Sequence, residues 1–184
     1  LKKSTVPKLG NPLDPEAPDS ELLAQVADYY HERLLKTPAA LDYLKKRGLY
    51  DLEMIRRFKL GFSDRTLGLR LPAKNRSDGK AIRERLQDIG ILRDTGHELM
   101  TGSLTVPIFD RPGFAAEMYG RKITSGLRKG TPLHLYLPGP HDGIWNRQSL
   151  FFDTRPSEII LCEAPLDALT FAANGVENVT FIYG

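Results

Sequence analysis

The chain has a single cysteine, Cys162, in 184 residues. A lone thiol cannot close an intramolecular disulfide, and Cys162 with His31, His97, His134 and His141 forms no set spaced for a structural zinc. Long apolar runs are missing as well, the longest falling far short of the ~20 residues that a membrane-spanning helix needs. The basic start lacks the apolar stretch of an export signal. These absences point to a cytoplasmic protein with no zinc in this chain and no membrane partner. Disorder is excluded in turn, because 41% apolar and 27% charged residues supply one sizeable core or two small ones.

The net charge of +3 hides an uneven distribution. Residues 1–55 carry eight Lys/Arg against nine Asp/Glu, whereas residues 56–85 carry ten against three: Arg56, Arg57, Lys59, Arg65, Arg70, Lys74, Arg76, Lys80, Arg83 and Arg85. Residues 131–184 reverse the sign, with two against six. A basic surface beside an acidic site suits an enzyme that handles a polyphosphate with a divalent cation, although solvated charged faces give the same pattern.

Pro7, Pro12, Pro15 and Pro18 mark residues 1–18 as a flexible linker. Apolar positions at Leu22, Leu23, Val26, Ala27, Tyr30 and Leu34 share one helical stripe, predicting a helix to about Lys36. Thr37 and Pro38 open a second helix that Gly48 stops, and Asp51 opens a third that ends before Gly61. Residues 66–71 look strand-like and residues 77–89 helical, with Gly90 as the stop. Two β-type runs, 103–109 and 114–123, flank the turn sequence DRPG and predict a hairpin. Residues 158–162 read as a buried strand, 165–174 as a helix and 179–183 as a strand, which together form a βαβ unit. The fold class is therefore mixed α+β and α/β: N-terminal helices over 19–61, a mixed subdomain with a β-hairpin over 62–155, and a βαβ unit over 156–184. Parallel strands need further strands and cover on both faces, so the chain is expected to be a piece of a longer protein.

The stretch IILCEAPLDALTFAAN, residues 159–174, places Glu163 at the carboxyl end of a strand and Asp167 in the first turn of the next helix. Ligands of open α/β sheets bind at such strand ends, where a carboxylate can hold Mg²⁺ or move a proton. Spacing alone favours a simple helix start, with Asp167 complementing the helix dipole and Glu163 a polar strand end. His141-Asp142 suits a turn better than a metal pair. Cys162, inside an apolar strand with no adjacent histidine, suits a small hydrophobe better than a nucleophile.

A series of motifs in order goes further. ALDYLKKRGL (residues 40–49), IRRFKLGF (55–62), GIL (90–92), GSLTVPIFD (102–110), YGR (119–121), LYLPGP (135–140) and EAPLD (163–167) resemble the motif series of bacterial DnaG-type DNA primase catalytic cores. The final βαβ unit resembles the beginning of a Toprim domain. Ser103 stands where the family has arginine, Leu135 where it has lysine, and Ala164-Pro165 where it has Gly-Tyr. These departures resemble divergent primase-like proteins of mobile elements or plasmids.

The resemblance implies a nucleotidyltransferase that makes RNA primers on a single-stranded DNA template from nucleoside triphosphates, with Mg²⁺ or Mn²⁺ and a replicative helicase as possible partner. Glu163 would be the catalytic glutamate and a metal ligand, supported by Asp167 and by an Asp-x-Asp motif expected beyond Gly184. Arg121, Lys122, Arg128 and Lys129, with Arg83 and Arg85, would contact nucleic acid or nucleotide, and Arg128 and Lys129 lie close enough in sequence to replace the missing lysine. Tyr119, Tyr136 or Trp145 could stack a base, burial being the competing role for each. The chain by itself is expected to make no primer. A Toprim nuclease or topoisomerase and a non-catalytic single-strand-binding accessory are the alternatives.

Overall fold

The computed structural model describes residues 10–153 and 155–183. Helix α1 (Asp19–Leu35) buries Leu22, Leu23, Val26, Ala27, Tyr30 and Leu34, the stripe expected from the 3.6-residue period. Helix α2 (Pro38–Lys46) starts with proline at its first position and stops at Gly48, whose φ of +69° suits a residue without a Cβ. Helix α3 (Leu52–Arg57) is capped by Asp51, whose side chain accepts from the Met54 amide at 2.7 Å.

Four antiparallel strands, β1 (Gly61–Phe62), β2 (Ser103–Arg111), β3 (Phe114–Lys122) and β4 (His134–Tyr136), form a sheet in the order β1-β2-β3-β4. The expected hairpin is β2 and β3, longer than expected because the turn narrows to Pro112-Gly113. Strands β1 and β4 are too short to announce themselves by alternation. Gly61 is required where α1 crosses β1, since a Cβ there would lie 2.7 Å from Tyr30 Cβ and 2.5 Å from Thr105 Oγ1.

The strand expected at 66–71 is instead helix α4 (Leu67–Arg70). Alternation would place Leu67, Leu69 and Leu71 on one face, but Leu67 and Leu71 are buried while Leu69 is 81% exposed. The Leu67 amide, which a ladder would need, is taken by the buried Glu98 carboxylate at 3.1 Å. Helix α5 (Ser77–Asp88) follows as expected, with Ile82 and Leu86 inward. Residues 10–18 are not a loose linker: Leu13 and Ala17 are buried, and Arg85 of α5 donates to the Pro15 and Ala17 carbonyls. The remainder of the expected linker lies outside the described residues.

A short π-helical turn (Ser149–Asp153) leads towards β5 (Ile160–Cys162), α6 (Pro165–Ala173) and β6 (Val179–Phe181). Strands β5 and β6 pair in parallel, as a helical crossover requires. Strand β5 is less buried than expected, Leu161 being 66% exposed. The four-stranded sheet is covered on both faces. On one side Leu22, Val26, Tyr30, Ile82, Leu86 and Met118 form a cluster. On the other, Leu104, Val106, Ile108 and Tyr119 share a core with α2, α3 and the βαβ unit. Trp145 anchors that side, 2% exposed, with its ring 4.2 Å from Phe58 and 5.5 Å from Phe181 between centroids. Among the described residues no helix is long and apolar enough to cross a membrane.

Candidate functional site

The carboxyl end of β5 is held by the Ile182 amide, which donates to the Cys162 carbonyl at 3.0 Å. Glu163 follows immediately and is exposed, and Ala164 in extended conformation turns the chain into α6 with Pro165 in its first turn. Asp167 is exposed in that same turn. Neither carboxylate has a hydrogen bond or ion pair among the described residues. Asp167 is nevertheless felt nearby: burial first, and then its charge, push the Cys162 thiol up. Its charge also adds to the burial that pushes up Tyr119 on β3. Asp167 therefore lies within electrostatic reach of Tyr119 on β3.

Arg121 is two residues beyond Tyr119 on β3 and in phase with it. Its guanidinium donates to His134 Nε2 across the β3–β4 pair, and His134 Nδ1 meets the Tyr119 hydroxyl at 2.7 Å. An arginine can only donate, so Nε2 must be unprotonated. The imidazole is then neutral with its proton on Nδ1, donating to the Tyr119 oxygen. Burial and the Arg121 charge both lower the His134 pKa, in agreement with that tautomer. Leu135 pairs with Gly120 in the same ladder.

A second feature lies on the sheet's flank, a groove of about 850 Å³ whose cations are Arg65, Arg83, Arg93, Lys122 and Arg128. The acid in its lining, Glu98, is fully engaged: it accepts from Tyr30 Oη at 3.0 Å, Ser63 Oγ at 2.7 Å and the Leu67 amide. Arg65, Arg93, Lys122 and Arg128 have no ion pair among the described residues. Lys122 reaches the Thr101 carbonyl, and its pKa is lowered by burial, then by Arg93 and Arg65. Unscreened cations thus converge on one concave surface. Arg65 holds a left-handed backbone, φ +69°, a conformation that costs a non-glycine residue of order 1–3 kcal/mol.

No protein-family model matches the chain. In sequence it is similar to DNA primase of Buchnera aphidicola subsp. Baizongia pistaciae, 28% identical over 160 residues, covering 80% of this chain and 26% of that protein. It is also similar to DNA primase of Helicobacter pylori, 25% identical over 179 residues, covering 90% of this chain and 30% of that protein. The chain thus spans about a quarter to a third of the length of the curated relatives it matches. In structure it superposes on a DnaG catalytic core with a TM-score of 0.73 at 21% identity, covering 91% of this chain and 55% of that one. The fold is that of the DnaG catalytic core. A DnaG primase catalytic domain bound to single-stranded DNA superposes with a TM-score of 0.71 at 22% identity, over 90% of this chain and 56% of that one.

Within the DnaG-core fold the residues singled out from sequence separate into groups. Glu163 and Asp167 sit at the end of β5 and the start of α6, and Asp167 and Arg121 both act on Tyr119 of β3. Arg83, Lys122 and Arg128 enter the groove, whereas Lys129 is outside its lining. Arg83 also braces the groove wall through the Gly68 and Pro72 carbonyls, at 3.0 and 3.2 Å. Arg85 turns away and ties residues 15–19 to α5, pairing with Asp19. Trp145 is core.

Three groups escaped the sequence. Arg93 reaches the groove from a tight turn closed by its amide on the His97 carbonyl at 2.9 Å; only the turn-forming glycine hinted at it. Glu98 is a buried hub whose partners are remote in sequence. His134 stands one residue before the motif that drew attention to Leu135.

Proposed function

We propose that this chain is part of a primase-like nucleotidyltransferase that synthesises RNA primers on single-stranded DNA with a divalent metal. The observation that carries this is the pair of unpartnered carboxylates, Glu163 and Asp167, at a strand's carboxyl end in a DnaG-core fold. Magnesium is held by one or two carboxylates, with waters and substrate phosphates completing the shell. That donor set suits Glu163 and Asp167, whereas among the described residues no group of three or more His, Cys, Asp or Glu could cage a metal. When bound, the ion would neutralise triphosphate charge and position the attacking hydroxyl. Glu163 would hold it and Asp167 would support it.

The protein's own groups complete the assignment. Arg121, kept in place by neutral His134, offers its guanidinium to a nucleotide phosphate. The groove of Arg65, Arg83, Arg93, Lys122 and Arg128 takes the template backbone, since cations without acidic partners bind phosphates by releasing counterions. Nucleoside triphosphates and single-stranded DNA are the partners, with a replicative helicase as a further one. The same assignment makes residues 62–155 the template-binding unit and 156–184 the start of the metal-binding one.

The metal assignment is tested by adding Mn²⁺ to the isotope-labelled chain and following amide resonances. Broadening should centre on Glu163 and Asp167, be reversed by excess Mg²⁺, and disappear in Glu163→Gln. Broadening centred on Asp51, Glu53 and Glu177, the acids of another groove, would overturn the assignment.

A further inference from the structure

Strand β3 departs from regular pairing beside a buried acid. Ile108 faces Glu117 while Phe109 faces Ala115, so Ala116 is an extra residue and the strand bulges. A bulge re-aims the side chains beyond it. Glu117 is in phase with Tyr119 and Arg121 by plain alternation, on the face that carries the βαβ unit, and the bulge turns Ala115 to the opposite cluster. Glu117 is 2% exposed.

Its oxygens are divided between two tasks. One accepts from the Met118 amide at 2.8 Å and the Leu137 amide at 3.0 Å. Leu137 lies just past the end of β4, so the carboxylate extends the ladder by one rung and pins the following loop. The other oxygen meets His141 Nδ1 at 2.8 Å. The imidazole is in turn stacked on Tyr183, 4.9 Å between centroids and 15° between planes, with Tyr136 at 4.7 Å on it as well. The Tyr183 hydroxyl donates to the Asp142 carbonyl at 2.6 Å and to that of Gly143 at 3.1 Å. Tyr183 lies two residues past β6, at the same sheet end where Glu163 follows β5. No other contact joins a buried charge of the sheet to that end of the βαβ unit among the described residues.

We propose that Glu117, His141 and Tyr183 form a latch that fixes the βαβ unit, and with it Glu163, against the four-stranded sheet. The buried carboxylate orients the imidazole, and the imidazole is the platform on which Tyr183 seats. Glu117 and His141 are positioning residues for Glu163. The docking role stands on geometry alone; its consequence for catalysis rests on the proposed nucleotidyl transfer.

The test is amide hydrogen exchange on the full chain and on His141→Phe, which keeps a ring but removes the bond to Glu117, and Tyr183→Leu, which removes the stack. In both variants, exchange at Ile182, whose amide bonds to the Cys162 carbonyl, and at Ala168 and Leu169 in α6 should quicken by about tenfold, while Val26 and Tyr30 in α1 keep their protection. The double variant should match the single ones, because both open the same latch. Unchanged exchange in His141→Phe, or equal acceleration in α1, overturns the latch. In the full-length protein His141→Phe should lower kcat for primer synthesis and leave the nucleotide KM unchanged, whereas a mere loss of folded protein would be restored by correcting for active concentration. Absence of synthesis in the unmutated protein would refute the nucleotidyl-transfer assignment and leave the exchange result standing.

Discussion

Arg93→Ala and Arg85→Ala remove the same charge, yet the structure assigns them different consequences. Arg93 lines the groove without an acidic partner, whereas Arg85 is spent on the Pro15 and Ala17 carbonyls and Asp19. Each phosphate neutralised on a single strand contributes about 0.7 to the slope of log affinity against log salt. Five groove cations, all engaged, would give a slope of about −3.5, so binding should weaken roughly a hundredfold between 50 and 200 mM salt. Without Arg93 the slope falls to about −2.8 and the loss to roughly fiftyfold. Arg85→Ala should leave the slope unchanged and lower thermal stability, since hydrogen bonds from a charged donor are worth about 1.5–3 kcal/mol. Fluorescence anisotropy of a labelled oligonucleotide across a salt series, with a melting curve for each variant, measures both. A slope lowered equally by the two substitutions would refute the groove as the binding surface, because only bulk charge would then matter.

Trp145→Ala should destabilise the fold by about 3–5 kcal/mol in chemical denaturation, as expected for a buried aromatic that bridges Phe58 and Phe181. His134 should titrate below its ordinary value when followed by NMR, and return towards it in Arg121→Gln. The sign follows from the neutral form being favoured in the fold. Stability is therefore at its full value above about pH 6.5 and declines as pH falls from there through the folded pKa. A midpoint above 6.5 would contradict the tautomer assigned to the Arg121–His134–Tyr119 chain.

The parts of the fold that sequence disclosed are those governed by local chemistry. Asp51 as a cap, Gly48 and Gly90 at positive φ, and the stripe from Leu22 to Leu34 act within a few residues of themselves. The hairpin and the βαβ unit were legible for the same reason. Residues 66–71 misled because three alternating leucines mimic a strand, and what decides against it is Glu98, some thirty positions away, capturing the Leu67 amide. The site divides similarly. Glu163 and Asp167 could be singled out because strand end and helix start adjoin in sequence. The Arg93 contribution, the His134 support of Arg121 and the Glu117–His141 pair depend on a turn, on strand register and on the path of the loop after β4, which no local pattern encodes. Arg85 looked like its basic neighbours, and only the packing of residues 10–18 separates it from them.

The most direct measurement is template-directed incorporation of ribonucleotides by the full-length protein with Mg²⁺ or Mn²⁺, alongside its Glu163→Gln variant. Synthesis should be abolished by Glu163→Gln while the affinity for single-stranded DNA stays within about twofold, because Glu163 lies outside the cation groove. Undiminished synthesis by Glu163→Gln, or loss of DNA binding without loss of synthesis, would contradict the proposed function.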